Sequence, residues 1–303
     1  MDGSGFETGN VKAESSGFAP TPAEVVMRAE TRVTYGVTPR SLNGRPLNEA
    51  SWQMNGPNFL LRGEGDHYFY YRKSEGITVE RGANADISEE SLWLNGSVYS
   101  AIASINGLVP IHASAVSIEG RVFAFTGPGG AGKSTLVAGL AKVGLPMFCD
   151  DTLVLDPSSR DRLMCLPGHK RLKLRPDAVE LTGATREEKV SATVDKYYAS
   201  PEGGSVGTTL PLAELIFLED GPELQIVPIS GAARFSRMID DHHTAELLAA
   251  ARLFDKAERF AHLSELALRI SMARFIRPRA TDQFAEGVSR IAAYISQQAR
   301  ALS

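Results

Sequence analysis

Residues 127–135 read Gly127-Pro128-Gly129-Gly130-Ala131-Gly132-Lys133-Ser134-Thr135. From Gly127 to Ser134 they match the Walker A or phosphate-binding loop (P-loop) pattern, G-x-x-x-x-G-K-S/T. An apolar run, residues 122–126, precedes the motif, and an amphipathic run, residues 136–143, follows it. The motif therefore has the order of strand, loop and helix that it requires, and it predicts an α/β fold with a nucleotide site.

Each part of this loop has an expected role. Its glycines allow backbone N–H groups to approach phosphate oxygens, and the following helix adds its unpaired N–H groups and the positive end of its dipole. Lys133 is expected to reach the β- and γ-phosphates of ATP, and the Ser134 hydroxyl to bind Mg²⁺. The expected nucleotide contacts are Gly127, Gly129, Gly130, Ala131, Gly132, Lys133, Ser134 and Thr135. The alternative, a glycine-rich turn without a ligand, requires no Lys-Ser pair.

The composition is that of a globular protein, with 303 residues, 43% hydrophobic and 22% charged. A net charge of −4 argues against a general affinity for nucleic acid or anionic membranes. Two cysteines are too few for a disulfide framework and indicate a reducing compartment. The uncharged residues 91–118 are interrupted by Asn, Ser, Gly and Pro, which predicts a buried helix and strand and no membrane span. No secretory signal is apparent, so we expect a cytoplasmic protein.

Local patterns divide the chain into three parts. Residues 1–22 are rich in Gly, Ser and Glu and are predicted to be a disordered tail. Residues 23–106 are predicted to form a small β-rich N-terminal domain that ends in a helix, because strand-like segments precede a helical rhythm. Residues 107–303 are predicted to form the nucleotide-binding domain with C-terminal helices. The predicted segments of this domain are strands at 110–118, 121–126, 146–155, 171–174, 214–219, 224–228 and 273–276, helices at 176–181, 230–240, 245–271 and 281–299, and a loop at 182–209.

Asp150 and Asp151 are adjacent carboxylates within the predicted strand 146–155, where neighbours point to opposite faces. Burying a carboxylate is costly unless it meets a metal or a proton donor. One of the pair suits Mg²⁺, and the other suits the role of base for an attacking hydroxyl. The alternative is a structural pair that accepts hydrogen bonds from nearby N–H groups.

His112 lies in the strand before the glycine loop, within an uncharged run, residues 109–116. Two interpretations are open: a satisfied core histidine, or a member of the site, because its strand adjoins the strand that leads into the loop. The basic run at residues 169–175 alternates charged and apolar residues. It is equally typical of a solvated strand face and of a surface that contacts phosphate or peptide.

The His112 strand, the glycine loop and the Asp150-Asp151 strand together resemble the landmarks of HPr kinase/phosphorylase-like serine kinases, over residues 107–230. The resemblance implies a P-loop kinase core related to phosphoenolpyruvate carboxykinase and ATP-dependent, Mg²⁺-dependent phosphorylation of a protein serine. It implies that Asp150 is the base, His112 its neighbour and Asp151 the carboxylate on the metal side, with the reverse order of the two Asp residues open. HPr kinases form hexamers, so a homo-oligomer is one of the states that the resemblance allows, and the oligomeric state stays open at this stage.

The Glu-Ile-Arg-Gly-Leu-Gly type signature of HPr kinases is absent, and residues 174–178 read Leu-Arg-Pro-Asp-Ala in that region. This stretch, the compact N-terminal domain and the helical C-terminal region look more like the HPr-kinase-related lasso peptide precursor kinases. That resemblance implies a peptide substrate phosphorylated on serine, commonly at its C-terminus. Two other functions stay open at this stage: a small-metabolite kinase with the same core, and a non-enzymatic nucleotide-dependent switch.

Overall fold

The computed structural model describes residues 19–49, 51–239 and 243–302 and has a mixed α/β architecture. Residues 1–18 of the predicted tail lie outside the described residues. The first helix begins at Pro22, where Thr21 and Glu24 form a capping box and proline occupies the first turn.

The N-terminal part of the described chain is this helix followed by a five-stranded sheet with the strand order β1-β5-β4-β3-β2. One face of the sheet is a continuous apolar surface, since Phe59, Leu61, Phe69 and Tyr71 are buried in one cluster. The strand β2 was not predicted from the sequence, because its residues are only half-buried and mostly polar. The elements are α1 Pro22–Glu30, β1 Val33–Tyr35, β2 Ser51–Asn55, β3 Asn58–Arg62, β4 Tyr68–Arg72 and β5 Gly76–Glu80.

A helix with an internal π-helical turn connects this sheet to the rest of the molecule. It consists of α2 Ser88–Trp93, the π-helical turn Leu94–Val98 and α3 Tyr99–Ile105. Val98, Ala101 and Ile102 pack into the same apolar cluster as the five-stranded sheet. The π-helical turn adds a residue to the helical turn, and such turns often occur at functional sites.

The remaining elements form a large mixed sheet, a small sheet and the helices that cover them. The large sheet has the order β6-β10-β11-β15-β8-β7-β9, and β17 pairs with both β15 and β16. In chain order the elements are β6 Val109–Ile111, β7 Ala113–Ile118, β8 Arg121–Thr126, α4 Lys133–Lys142, β9 Met147–Cys149, β10 Leu153–Asp156, β11 Met164–Leu166, β12 Leu172–Leu174, α5 Pro176–Thr182, β13 Thr185–Lys189, β14 Tyr197–Ser200, β15 Leu210–Asp220, β16 Gln225–Ile229, α6 Ala232–Ile239, α7 His243–Arg252, α8 Lys256–Arg269, β17 Met272–Arg277 and α9 Phe284–Ala301.

Strand β8, in the middle of the large sheet, is buried on both faces, as its apolar run predicts. Phe123 and Phe125 join the cluster that contains α4 and α9, whereas Val122 and Ala124 join the cluster that contains residues of α7 and α8. This alternation follows the two-residue period of a strand. The predicted turn at Glu119-Gly120 is also confirmed: both residues have positive φ, 49° and 70°, and β7 pairs with β8 on either side of it.

Two segments differ from the sequence-based predictions. Residues 182–209, predicted to be a loop, include β13 and β14, which form a small sheet with β12. Strand β13 was missed because it is polar and largely exposed; Arg171 pairs with Glu187 and Glu188 there. The single helix predicted for residues 245–271 is two helices, because Leu253 adopts a left-handed φ of 50°. Asp255 then caps α8.

Within the described ranges, no helix combines the length and apolar character needed to cross a membrane.

Candidate active site

The glycine loop lies where three parallel strands end. Strands β8, β15 and β17 run parallel and adjacent, so their carboxyl ends meet at one edge of the sheet. The loop needs glycine at both ends of the turn: Gly127 has φ 150°, and a Cβ there would stand 3.0 Å from the Leu218 carbonyl oxygen. Gly132 has φ 82°, in the left-handed region. Helix α4 begins directly after it, at Lys133, so the helix N-terminus faces the loop.

Lys133 folds back onto its own loop. Its Nζ donates to the carbonyl oxygens of Gly127, at 2.9 Å, and Pro128, at 3.3 Å, and the residue is only 7% exposed. Burial lowers the pKa of this ammonium from its usual value, while the nearby charges of Asp150 and Asp151 oppose the change. Among the described residues its acceptors are these two neutral carbonyl oxygens, which bind an ammonium less strongly than an anion does.

The Asp pair does not lie inside a strand, which corrects the prediction of a continuous strand at 146–155. The strand is divided into β9 and β10, and the same happens to the predicted strand 110–118, which divides into β6 and β7 at His112. Strand β6 pairs with β10, and β7 pairs with β9, so the two breaks lie at the same level of the sheet. Asp151 occupies one break in a left-handed conformation with φ 70°. The double break therefore brings His112 and Asp151 together.

Asp150 is buried and accepts three hydrogen bonds. Its Oδ1 accepts hydrogen bonds from the Ser134 hydroxyl at 2.8 Å and from the Ser114 hydroxyl at 2.5 Å. Its Oδ2 accepts the backbone N–H of Lys173 at 3.0 Å. Burial and the neighbouring charge of Asp151 raise the pKa of Asp150 above its usual range, although the hydroxyl donors oppose this. Asp150 is thus joined to the glycine loop through Ser134.

Asp151 faces a different set of groups. Its Oδ2 lies 2.9 Å from the Lys173 ammonium, and its Oδ1 lies 3.6 Å from Nδ1 of His112, which also contacts the Asp151 carbonyl oxygen at 2.9 Å. Its side chain is 27% exposed, whereas Asp150 is 2% exposed. Gly96, in the π-helical turn, packs behind it: a Cβ there would stand 3.5 Å from Asp151 Oδ2.

Lys173 was not predicted to be a site residue. The basic run at 169–175 fitted a solvated face or a contact surface, yet Lys173 is buried and paired with Asp151. Burial disfavours the charged ammonium, but the charge and the hydrogen bond of Asp151 act together with the charges of Tyr198 and Asp150, and the pKa of Lys173 is raised overall. The apolar residues on either side, Leu172 and Leu174, are the signal in the sequence that this strand enters the core, and all three residues are buried.

One cavity joins these groups. It has a volume of about 320 Å³, and its lining includes His112, Lys133, Asp150, Asp151, Lys173 and Arg277. The described residues contain no cluster of three or more His, Cys, Asp and Glu side chains that would hold a metal by themselves. The Ser134 hydroxyl and the Asp150 carboxylate are hard oxygen ligands, 2.8 Å apart, of the kind that binds Mg²⁺ together with substrate phosphates. The residues present therefore fit a Mg²⁺ ion shared with a nucleotide.

No family model and no curated protein matches this chain. Among solved structures, the Hpr(Ser) kinase/phosphatase from Coxiella burnetii is similar to it, with 15% sequence identity and a TM-score of 0.32. The alignment covers 62% of this chain and 92% of that chain. At this identity and TM-score the similarity carries no conclusion about function.

Proposed function

We propose that this protein is an ATP-dependent serine kinase that transfers the γ-phosphoryl group to a serine hydroxyl of a peptide. The proposed substrate is a lasso peptide precursor with a C-terminal serine. The observation that carries the proposal is the shared cavity: a glycine loop with a buried lysine lines one part, and a carboxylate beside an imidazole lines another. A site that only senses a nucleotide has no need of a base for an acceptor hydroxyl.

Nucleotide binding follows from the loop. Its backbone N–H groups and the N-terminus of α4 would surround the phosphates, and Lys133 would exchange its carbonyl partners for β- and γ-phosphate oxygens. Ser134 and Asp150 would hold Mg²⁺, which when bound neutralises charge on the phosphates. The hydroxyl of Ser114 keeps the Asp150 carboxylate in place at 2.5 Å.

We assign the role of base to Asp151, the reverse of the order that the family resemblance implied for the pair. Asp150 is buried and already accepts three hydrogen bonds, whereas Asp151 is partly exposed in the cavity. Asp151 would accept the proton of the serine hydroxyl while the serine oxygen forms a bond to the γ-phosphorus, and the bond between that phosphorus and the bridging oxygen breaks to release ADP. His112 would orient the carboxylate, and Lys173 would stabilise negative charge near it.

Three variants test the function and the order of roles in one experiment. ATP affinity is measured by calorimetry with Mg²⁺, and transfer to a serine-ended peptide is measured by radiolabelled phosphate. Lys133→Ala is expected to lose ATP binding. Asp151→Asn is expected to keep ATP binding and to lose transfer by about 10²- to 10⁴-fold. Asp150→Asn is expected to weaken the Mg²⁺-dependent part of ATP binding.

The outcomes separate the alternatives. The base role would return to Asp150 under one combined result. In that result Asp151→Asn still transfers phosphate, and Asp150→Asn loses transfer while its Mg²⁺-dependent ATP binding is unchanged. Transfer to small hydroxylated metabolites and none to peptides would favour the metabolite kinase. Slow ATP hydrolysis that no acceptor changes would favour the switch.

A further inference from the structure

Arg277 is the last residue of β17 and extends toward the glycine loop. Its Nη2 donates to the carbonyl oxygen of Ala131. The same nitrogen lies 3.0 Å from the position that a Cβ would take on residue 132. Because Gly132 has no side chain and adopts a left-handed φ, the loop leaves room for the guanidinium. The end of β17 and the loop are thus fitted to each other.

The charge of Arg277 is not balanced in the way that its neighbours' charges are. Arg274 pairs with Glu219, and Arg279 pairs with Asp220 at 2.8 Å. No carboxylate among the described residues forms a salt bridge with Arg277, and its buried Nε–H has no hydrogen-bond partner there. Burial lowers the pKa of this guanidinium from its usual value, although the charge of Asp220, which is not in contact with it, opposes the change. A half-buried guanidinium with a buried Nε–H that has no acceptor, and with no carboxylate in contact, is costly, which indicates that an anion is the missing partner.

The position of Arg277 identifies the kind of anion. Strand β17 is parallel to β15, which is parallel to β8, so Arg277 lies at the sheet edge where the glycine loop begins. Arg277 lines the same cavity as Lys133 and Asp151. We propose that Arg277 binds the phosphate chain of the nucleotide directly, as a second cation beside Lys133. The planar guanidinium fork donates two parallel hydrogen bonds to phosphate oxygens, which a lysine does not. This inference rests on the proposed nucleotide-dependent function.

The test compares Arg277→Met with Arg279→Met. Both remove a guanidinium from the same end of β17 and from the lining of the same cavity, but Arg279 is exposed and paired with Asp220, whereas Arg277 contacts the glycine loop. Binding of ATP and ADP is measured by calorimetry, and the Tm of each nucleotide-free variant is recorded. We expect Arg277→Met to weaken ATP and ADP binding by about tenfold to a hundredfold, and Arg279→Met by less than about twofold. Arg277→Lys is expected to fall between the wild type and Arg277→Met.

The Tm separates binding from a structural role. Arg277→Met removes a half-buried charge that no described carboxylate contacts, so the nucleotide-free Tm is expected to stay unchanged or to rise. A lower Tm with unchanged affinity for ATP would mean that Arg277 only supports the loop through Ala131, and would overturn the inference. Suppose that the wild type binds ATP, that Lys133→Ala does not bind it, and that Arg277→Met binds it as tightly as the wild type. The Arg277 inference is then wrong, and the proposed function is unaffected. If the wild type itself binds no ATP, the proposed function fails and the inference fails with it.

Discussion

Glu214 makes the free energy of unfolding depend on pH. It is buried on β15, where the Tyr294 hydroxyl donates to its Oε1 at 3.1 Å and its Oε2 has no partner among the described residues. Burial raises the pKa of Glu214 from 4.5 to about 7, against the opposing Tyr294 hydrogen bond. This difference corresponds to about 3 kcal/mol, since each pKa unit is worth about 1.4 kcal/mol.

The raised pKa of Glu214 stabilises the folded state at low pH. Because the folded state holds the Glu214 proton more tightly than the unfolded state, this stabilisation is fully present below pH 4.5 and is lost as the pH rises past about 7. Glu214→Gln mimics the protonated form at every pH. We therefore compare the free energy of unfolding of Glu214→Gln with that of the wild type. The variant minus wild-type difference is expected to be more positive at about pH 8 than at about pH 4, by up to about 3 kcal/mol.

Urea unfolding of both proteins at a series of pH values measures this difference. Glu219→Gln is the matched control on the same strand. Arg274 holds the pKa of Glu219 below its usual range, so loss of the Glu219 carboxylate should destabilise the protein at neutral pH. If the free energies of unfolding of wild type and Glu214→Gln run parallel from acid to alkaline pH, the reasoning is refuted.

Three further substitutions test helix packing, helix capping and the contact behind Asp151. Gly139→Ala would place a Cβ 2.7 Å from Val288 on α9, so we expect a loss of about 1–3 kcal/mol in urea unfolding; unchanged stability would show that α9 yields freely. Asp255→Ala removes the capping box of α8 and should cost about 1 kcal/mol in the same assay, whereas no loss would mean that packing alone holds the helix. Gly96→Val should press on Asp151 and slow phosphoryl transfer without changing ATP affinity, while Gly96→Ala, with its Cβ 3.5 Å from Asp151 Oδ2, should be tolerated; equal rates in both would argue against this packing role.

Local signals in the sequence were sufficient to predict the centre of the fold. The strand at residues 121–126 matches β8, and α4 begins at Lys133 within the motif. The Glu119-Gly120 turn was predictable because two residues, one of them glycine, separate two strand-like runs, although the positive φ of Glu119 is unusual for its residue type. These features depend on neighbours in the chain, which the sequence displays directly.

The arrangement of the site depends on strand pairing and was less predictable. The apolar runs around His112 and around Asp150-Asp151 each indicate one strand, and nothing local marks a break. The breaks arise because β6 pairs with β10 while β7 pairs with β9, so the chain changes partners at both places. Only this pairing shows that Asp151, and not Asp150, faces His112.

Two cations were missed for a similar reason. Lys173 belongs to an alternating basic run, and its burial follows from the position of β12 beside the Asp pair. Arg277 is one of three arginines near the end of β17, and nothing in the sequence distinguishes it from Arg274 or Arg279. The distinction lies in their partners, because those two have carboxylates and Arg277 has a carbonyl of the glycine loop.

The most direct measurement of the central claim is the intact mass of a serine-ended precursor peptide after incubation with the protein, ATP and Mg²⁺. Lys133→Ala serves as the control, because it changes the residue that folds onto the loop carbonyls and leaves the Asp pair in place. We expect the peptide to gain the mass of one phosphoryl group with the wild type and none with Lys133→Ala. An unchanged peptide mass while ADP accumulates would contradict the peptide kinase.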